Sequence, residues 1–185
     1  MNGPAKAHDL LGQIPASRGL PPVHLWNPEF CGDIDMRIAP DGTWYYLGTP
    51  IARKPMVKLF STILKKEGER WYLVTPVEKV GIQVDDAPFV AVLVDVEGHG
   101  QAQRLHFTDN CENHFTAGAA HPLRVAIDPD TQAPAPYVTV RGEFEARVHR
   151  NVFYQLVELA VPMDVGGRPG LGVWSDGVLF ALGAV

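Results

Sequence analysis

Residues 33–38 alternate strictly between apolar and polar side chains, and a period of two is typical of a half-buried strand. Asp41-Gly42 then suits a tight turn, and the aromatic run at residues 43–47 predicts the returning strand of a hairpin. The two faces of the first strand would carry, respectively, Ile34, Met36 and Ile38, and Asp33, Asp35 and Arg37.

After Pro50 the period of the apolar residues changes from two to about 3.6, which predicts a helix. Pro55 fits the first turn of this helix, Lys65 and Lys66 fit its last turn, and Gly68 fits its end. Its apolar face would consist of Met56, Leu59, Phe60, Ile63 and Leu64. The hairpin and the helix would pack their apolar faces on each other.

The remaining pattern predicts mostly strands. These strands are expected at residues 70–75, 81–84, 89–96, 103–107, 123–127 and 137–148. The run at 89–96 is so continuously apolar that we expect it to be buried on both faces. A second helix is predicted over residues 151–160, with Asn151 as its cap and Phe153, Leu156, Val157 and Ala160 on one face, and a hairpin is predicted over 171–182.

These elements predict an α+β fold with two related β-rich units, each with one helix packed on antiparallel strands. The acidic pair before Pro88 is the expected boundary. We therefore divide the chain into a strap (1–22), an N-terminal domain (23–86) and a C-terminal domain (87–185). Each half contains a strand, a basic residue, a helix and a hairpin in that order, a pattern that leaves duplication open.

Composition narrows the possible functions. The chain has 185 residues, is 46% hydrophobic and 20% charged, and carries a net charge of −5, which argues against broad nucleic-acid binding. We expect no membrane span, because no apolar run approaches the roughly 20 residues that a span requires. The N-terminus lacks the apolar core of a signal peptide, so a cytoplasmic location with reduced Cys31 and Cys111 is expected.

Several longer stretches resemble the bacterial DUF1285 family, namely GDIDMRI, DGTWYYLGTPI, MVKLFS, YLVTPVEKV, DAPF and HPLRV. The resemblance extends from about Val23 to the C-terminus. It implies a duplicated α+β fold whose C-terminal half is similar to a pleckstrin-homology domain. The family's activity is unassigned, and its proposed role implies binding of a nucleotide-like ligand at the domain interface in signalling.

Basic residues stand before both predicted helices. Arg53 precedes the first and Arg150 the second, where the partial positive charge of a helix N-terminus disfavours cations. A bound anion would turn this repulsion into attraction. The alternative is that both arginines pair with acidic neighbours such as Asp33, Asp35 or Glu78, or face water.

Two pairs of residues in the first hairpin invite a chemical interpretation. Asp33 and Asp35 could hold a divalent ion or act as an acid and base, or could instead pair with Arg37, Arg53 or Lys79. Trp44 and Tyr46 could stack on a planar base, or could simply be core residues. The histidines and Cys111 match no compact zinc spacing, and sequence motifs of common hydrolases and nucleotide-binding enzymes are absent.

Our leading hypothesis is therefore a binding protein for a small anionic or nucleotide-like ligand, with no catalytic residue, metal or resident cofactor assigned. The predicted ligand-binding residues are Asp33, Asp35, Arg37, Trp44, Tyr46, Arg53, Lys58, Glu78, Lys79, Arg150 and Tyr154. One alternative is a metal-assisted enzyme that uses Asp33 and Asp35 on phosphorylated metabolites. Another is a module that binds a protein partner in signalling.

Overall fold

The computed structural model of the protein describes residues 6–185, which form two compact units. The N-terminal unit ends at Asp86, and the C-terminal unit comprises Ala87–Val185. Within residues 6–185, none of the helices has both the length and the apolar character needed to cross a membrane.

Over residues 6–86, the N-terminal unit is a six-stranded sheet with two α-helices and one 3-10 helix, Val23–Leu25. Its elements are α1 (Ala7–Gln13), β1 (Phe30–Ile38), β2 (Trp44–Tyr46), β3 (Thr49–Pro50), α2 (Lys54–Ser61), β4 (Leu64–Glu67), β5 (Arg70–Val74) and β6 (Lys79–Val84). The strands lie in the order β3-β2-β1-β6-β5-β4. All neighbours pair antiparallel except β1 and β6, which run parallel at the centre of the sheet.

Helix α2 is shorter than the sequence predicts. It ends at Ser61, and the predicted last turn is instead strand β4, which pairs with β5 from Leu64 to Glu67. Gly68, with φ +59°, lies in the turn of this hairpin. Two lysines followed by glycine fit a helix end and a charged edge strand equally well, so the pattern alone could not separate them.

The C-terminal unit contains a six-stranded sheet and a separate three-stranded sheet. Its elements are β7 (Phe89–Glu97), β8 (Arg104–Asp109), β9 (His114–Thr116), β10 (Leu123–Ile127), β11 (Pro134–Arg141), β12 (Phe144–Val148), α3 (Arg150–Glu158), β13 (Val161–Val165), β14 (Arg168–Ser175) and β15 (Val178–Ala184). The larger sheet has the order β10-β11-β12-β7-β8-β9, and β13, β14 and β15 form the smaller one.

The two larger sheets share one topology, so the predicted duplicated α+β architecture is confirmed. In each sheet, two three-stranded antiparallel meanders are joined by a parallel pairing of the first and the last strand, β1 with β6 and β7 with β12. The helices differ, because α2 lies between the third and fourth strands whereas α3 follows the sixth. Arg53 and Arg150 therefore stand at different points of the repeated topology. The pleckstrin-homology likeness stays a prediction.

Three details of the C-terminal unit differ from the sequence prediction. Strand β7 is not buried on both faces, because the side chain of Leu93 is 60% exposed and a register irregularity separates it from Ala91. The expected strand at 137–148 is two strands, β11 and β12, with Gly142 at φ +53° between them. The cap of α3 is His149, whose Nδ1 accepts a hydrogen bond from the backbone N–H of Asn151 at 3.2 Å.

Candidate functional site

A depression of about 240 Å³ opens on the N-terminal unit where β1 lies between β2 and β6. The parallel pairing of β1 with β6 places Arg37 opposite Gln83, although 45 residues separate them in sequence. The antiparallel pairing of β1 with β2 places Arg37 opposite Tyr45. The residues that line the depression are Ile34, Asp35, Met36, Arg37, Tyr45, Gly48 and Gln83.

The guanidinium group of Arg37 is held from two sides. One of its terminal nitrogens donates a hydrogen bond to the carboxylate of Asp85, and its central carbon lies 4.9 Å from the centre of the Tyr45 ring. The side-chain amide of Gln83 donates to the other oxygen of Asp85 at 2.9 Å. The side chain of Arg37 is still 40% exposed, and a guanidinium has five N–H donors, so it can also bind a second acceptor.

Asp35 supplies a carboxylate to the same depression. Its side chain is exposed, and within the described part of the chain it has no hydrogen bond or ion pair. Its backbone carbonyl accepts a hydrogen bond from the N–H of Leu47 at 2.9 Å, which ties the turn between β2 and β3 to β1. The depression therefore combines a fixed cation with an unpaired anion, and both can bind polar groups of a small molecule.

Asp33 does not share this site with Asp35. Its carboxylate forms an ion pair with Arg70 at 2.6 Å, whereas the sequence analysis named Arg37, Arg53 or Lys79 as its possible partners. The β1–β6 register shifts between Asp33 and Arg37, and this irregularity breaks the simple alternation along β1. The predicted pair of aspartates is therefore divided between a surface ion pair and the depression, which disfavours a shared metal or an acid and base pair.

Gly81 provides room for the Asp33–Arg70 ion pair. A Cβ atom at this position would lie 2.0 Å from Oδ1 of Asp33 and 3.1 Å from the terminal nitrogen of Arg70. We expect Gly81→Ala to displace the exposed Asp33 side chain and to lower the free energy of unfolding by about 1 kcal/mol or less. Urea denaturation checks this. A loss of several kcal/mol would show that the backbone, and not only the ion pair, has to move.

Glu78 and Lys79 have structural contacts. Lys79 forms an ion pair with Glu67 at 2.6 Å and lies 4.3 Å from the centre of the Tyr72 ring, and its hydrogen bond lowers the pKa of Glu67. Glu78 accepts a hydrogen bond from the side-chain amide of Gln13 at 2.8 Å, so it connects the β5–β6 turn to α1. Neither residue lines the depression.

The two aromatic residues predicted to stack on a ligand have different surroundings. Trp44 is 1% exposed and stacks on Phe60 with ring centres 6.1 Å apart, so it is a core residue and cannot contact a ligand at the surface. This corrects the ligand-stacking interpretation in favour of its core-packing alternative. The hydroxyl of Tyr46 accepts a hydrogen bond from the backbone N–H of Ala7 at 3.4 Å. The aromatic ring that lines the depression is that of Tyr45.

The basic residues at the helix entrances are exposed. Arg53 precedes α2 and Arg150 begins α3, and neither has an ion pair with a carboxylate of residues 6–185. Lys58 is an exposed residue of α2, and Tyr154, 56% exposed, lies on α3. Their contribution to ligand binding stays a prediction, because none of the four lines the depression.

The described residues 6–185 contain no cluster of three or more His, Cys, Asp or Glu side chains that could hold a metal ion. In His106, for example, Nδ1 forms a hydrogen bond with the hydroxyl of Thr116 at 2.7 Å and Nε2 forms one with the carboxylate of Glu97 at 2.8 Å. Both ring nitrogens therefore have partners within the sheet.

Sequence reasoning did not assign six residues to the candidate site. Ile34, Met36, Tyr45, Gly48 and Gln83 line it, and Asp85 fixes Arg37. Tyr45 could have been found, because it adjoins the predicted pair of aromatic residues. Gln83 and Asp85 could not, because the parallel pairing that brings them to β1 leaves no local signal in the sequence.

Comparison with known proteins gives consistent matches over nearly the whole chain. Residues 21–87 match the family model described as "Domain of unknown function (DUF1285), N-terminal domain", and residues 88–182 match "Protein of unknown function (DUF1285), C-terminal domain". No curated protein matches the chain.

Two crystal structures of DUF1285 family proteins are similar to this chain. The protein from Silicibacter pomeroyi DSS-3 is 53% identical, with a TM-score of 0.90, over 99% of this chain and 97% of that chain. The protein from Shewanella baltica OS155 is 27% identical, with a TM-score of 0.51, over 66% of this chain and 90% of that chain.

Proposed function

The chain belongs to the DUF1285 family, whose function is unknown, and from its candidate site we propose that it is a binding protein for a small molecule that carries an acidic group beside hydroxyl groups, as a nucleotide does. One observation carries this proposal: Arg37, already fixed by Asp85, and the unpaired carboxylate of Asp35 line the same depression. The same proposal includes a signalling role in the cytoplasm, in which ligand binding itself, rather than a catalysed reaction, is the signal.

Arg37 is suited to the acidic group of such a ligand. A guanidinium binds carboxylate or phosphate through two parallel N–H donors, and these charge-assisted bonds are roughly twice as strong as neutral ones. The contacts with Asp85 and Tyr45 restrict the Arg37 side chain before any ligand arrives. Because less side-chain freedom is lost on binding, this preorganisation favours affinity.

Asp35 makes hydroxyl groups on the ligand necessary. The site has one cation, Arg37, and two carboxylates, those of Asp35 and Asp85. Because Asp85 already offsets the charge of Arg37, Asp35 leaves the site with a net negative charge. A bare anion would be repelled by Asp35, whereas a ligand whose hydroxyl groups donate to that carboxylate converts the repulsion into hydrogen bonds. The arrangement therefore favours a sugar phosphate or a nucleotide over inorganic phosphate.

Calorimetric titration with a panel of nucleotides, ribose 5-phosphate and inorganic phosphate tests the proposal. We expect at least one nucleotide to bind and Arg37→Gln to weaken this binding by about 10-fold to 100-fold, the range of one charge-assisted hydrogen bond. Asp35→Asn should weaken binding of the same nucleotide by about tenfold, because an amide is a poorer acceptor and has its own donors.

Asp33→Asn is the matched control, because it removes a carboxylate two residues away on the same strand that does not line the depression. We expect it to leave nucleotide affinity unchanged. Circular dichroism establishes that each variant is folded. The proposal is wrong if no member of the panel binds the parent protein, or if folded Arg37→Gln binds as tightly as the parent.

A further inference from the structure

Leu47 has an unfavourable backbone conformation in the turn beside the depression. The turn joins β2 to β3 through two residues, Leu47 at φ +52° and Gly48 at φ +77°. Two-residue turns of this kind favour Asn-Gly or Asp-Gly, because at positive φ the Cβ atom crowds the backbone, which glycine avoids and which asparagine and aspartate tolerate best among the other residues. Leucine is therefore a poor residue for this position on conformational grounds.

Burial does not explain the presence of leucine either. The Leu47 side chain is 65% exposed, so it gains little from the core of its own unit. An apolar side chain that is both strained and exposed serves neither local conformation nor packing, and strain retained at such a position is characteristic of functional sites.

Leu47 does not itself line the depression, but it is linked directly to two residues that do, Asp35 and Gly48. Its backbone N–H donates to the carbonyl of Asp35 at 2.9 Å, and Asp35 is one of the residues that line the depression. The next residue, Gly48, lines it as well, and a Cβ at Gly48 would meet no atom within 4 Å. The depression is thus open at Gly48, next to Leu47, while Asp35, Arg37 and Gln83 give it charged and polar groups.

We infer that Leu47 determines ligand specificity by contacting the apolar surface of a ring, so that the ligand consists of a ring joined to a hydroxyl-bearing part and an acidic group. This inference rests on the proposed function, because it assigns the part of the ligand that the depression itself does not hold. Small-molecule sites generally combine an apolar surface with a few directional polar groups, and Leu47 adds an exposed apolar side chain to a mainly polar site.

The test compares Leu47→Asn with the parent protein by thermal unfolding without ligand and by calorimetric titration with two probes, a nucleotide and ribose 5-phosphate. Asparagine tolerates positive φ, so we expect the variant to unfold about 4 °C higher than the parent. Loss of the apolar contact should weaken nucleotide binding about tenfold. Binding of ribose 5-phosphate, which lacks the ring, should stay unchanged.

Leu25→Asn serves as the control, because Leu25 is 72% exposed and neither it nor the residues beside it in sequence line the depression. It should change neither the affinity for the nucleotide nor that for ribose 5-phosphate. If the parent binds both probes equally well, or if Leu47→Asn keeps the parent's nucleotide affinity, the proposed function stands and the role of Leu47 is overturned. If the parent binds neither probe, both proposals fail together.

Discussion

Replacing Asp109 by alanine is expected to lower the free energy of unfolding by about 3–5 kcal/mol. The residue is only 2% exposed. Its carboxylate accepts hydrogen bonds from the backbone N–H groups of Cys111 at 2.9 Å and Asn113 at 3.0 Å, and from the side-chain amide of Asn113 at 2.8 Å. Alanine would remove the acceptor of all three donors inside the C-terminal unit, at the turn between β8 and β9.

Ionisation of Asp109 also makes the free energy of unfolding depend on pH, and this dependence can be measured separately. Burial raises the pKa of its carboxyl above the ordinary 3.8, although the hydrogen bonds from Asn113 and Cys111 and the charge of Arg141 act in the opposite direction. The folded protein therefore keeps this proton to a higher pH than the unfolded chain does. The contribution of Asp109 to the free energy of unfolding is therefore fully present below the pKa that the residue has in the unfolded chain. It is lost as the pH rises through the higher pKa of the folded protein. Asp109→Asn should lack that decline.

Asp128→Ala is the matched control for Asp109→Ala. The Asp128 carboxylate also accepts hydrogen bonds from two backbone N–H groups of its turn, those of Asp130 at 2.8 Å and Thr131 at 3.0 Å, but Asp128 is only half-buried, so water can replace its carboxylate. Chemical denaturation of the three proteins at one pH measures the difference. Equal midpoints for the two variants would show that burial does not decide the effect and would contradict the prediction.

Local pattern was sufficient where neighbouring residues determine the structure. The alternation at residues 33–38 gave strand β1, and Asp41-Gly42 gave its turn into β2. The same reasoning failed at Leu64, where the apolar residue fits a helix face and an edge strand equally well. The pairing of Leu64 with Leu73 decides in favour of the strand, and this is a tertiary contact.

The candidate site was only partly predictable, for a similar reason. Asp35 and Arg37 were identified because charged residues alternate on β1, but the same alternation gave Asp33 equal weight. The register irregularity between β1 and β6 distinguishes the two aspartates, and it depends on a strand that begins at Lys79. A local sequence pattern therefore cannot identify the residues that β6 places near Arg37.

Trp44→Ala is expected to lower the free energy of unfolding by about 3–5 kcal/mol, the usual loss for a large aromatic residue removed from a core. The side chain is 1% exposed and stacks on Phe60, which is fully buried on α2, so alanine would leave a cavity between the sheet and the helix. Urea denaturation measures the loss. Under conditions where Trp44→Ala remains folded, we expect its nucleotide affinity to equal that of the parent.

Trp44→Phe provides the comparison, because it keeps an aromatic ring at this position while it removes the indole N–H and some volume. The indole nitrogen is buried and has no hydrogen-bond acceptor among the described residues, so its removal relieves an unfavourable burial that partly offsets the lost volume. We expect a loss of about 1 kcal/mol or less. If Trp44→Ala instead kept the parent's stability and lost ligand affinity, Trp44 would be a ligand residue and the assignment of the site to the Asp35–Arg37 depression would have to be revised.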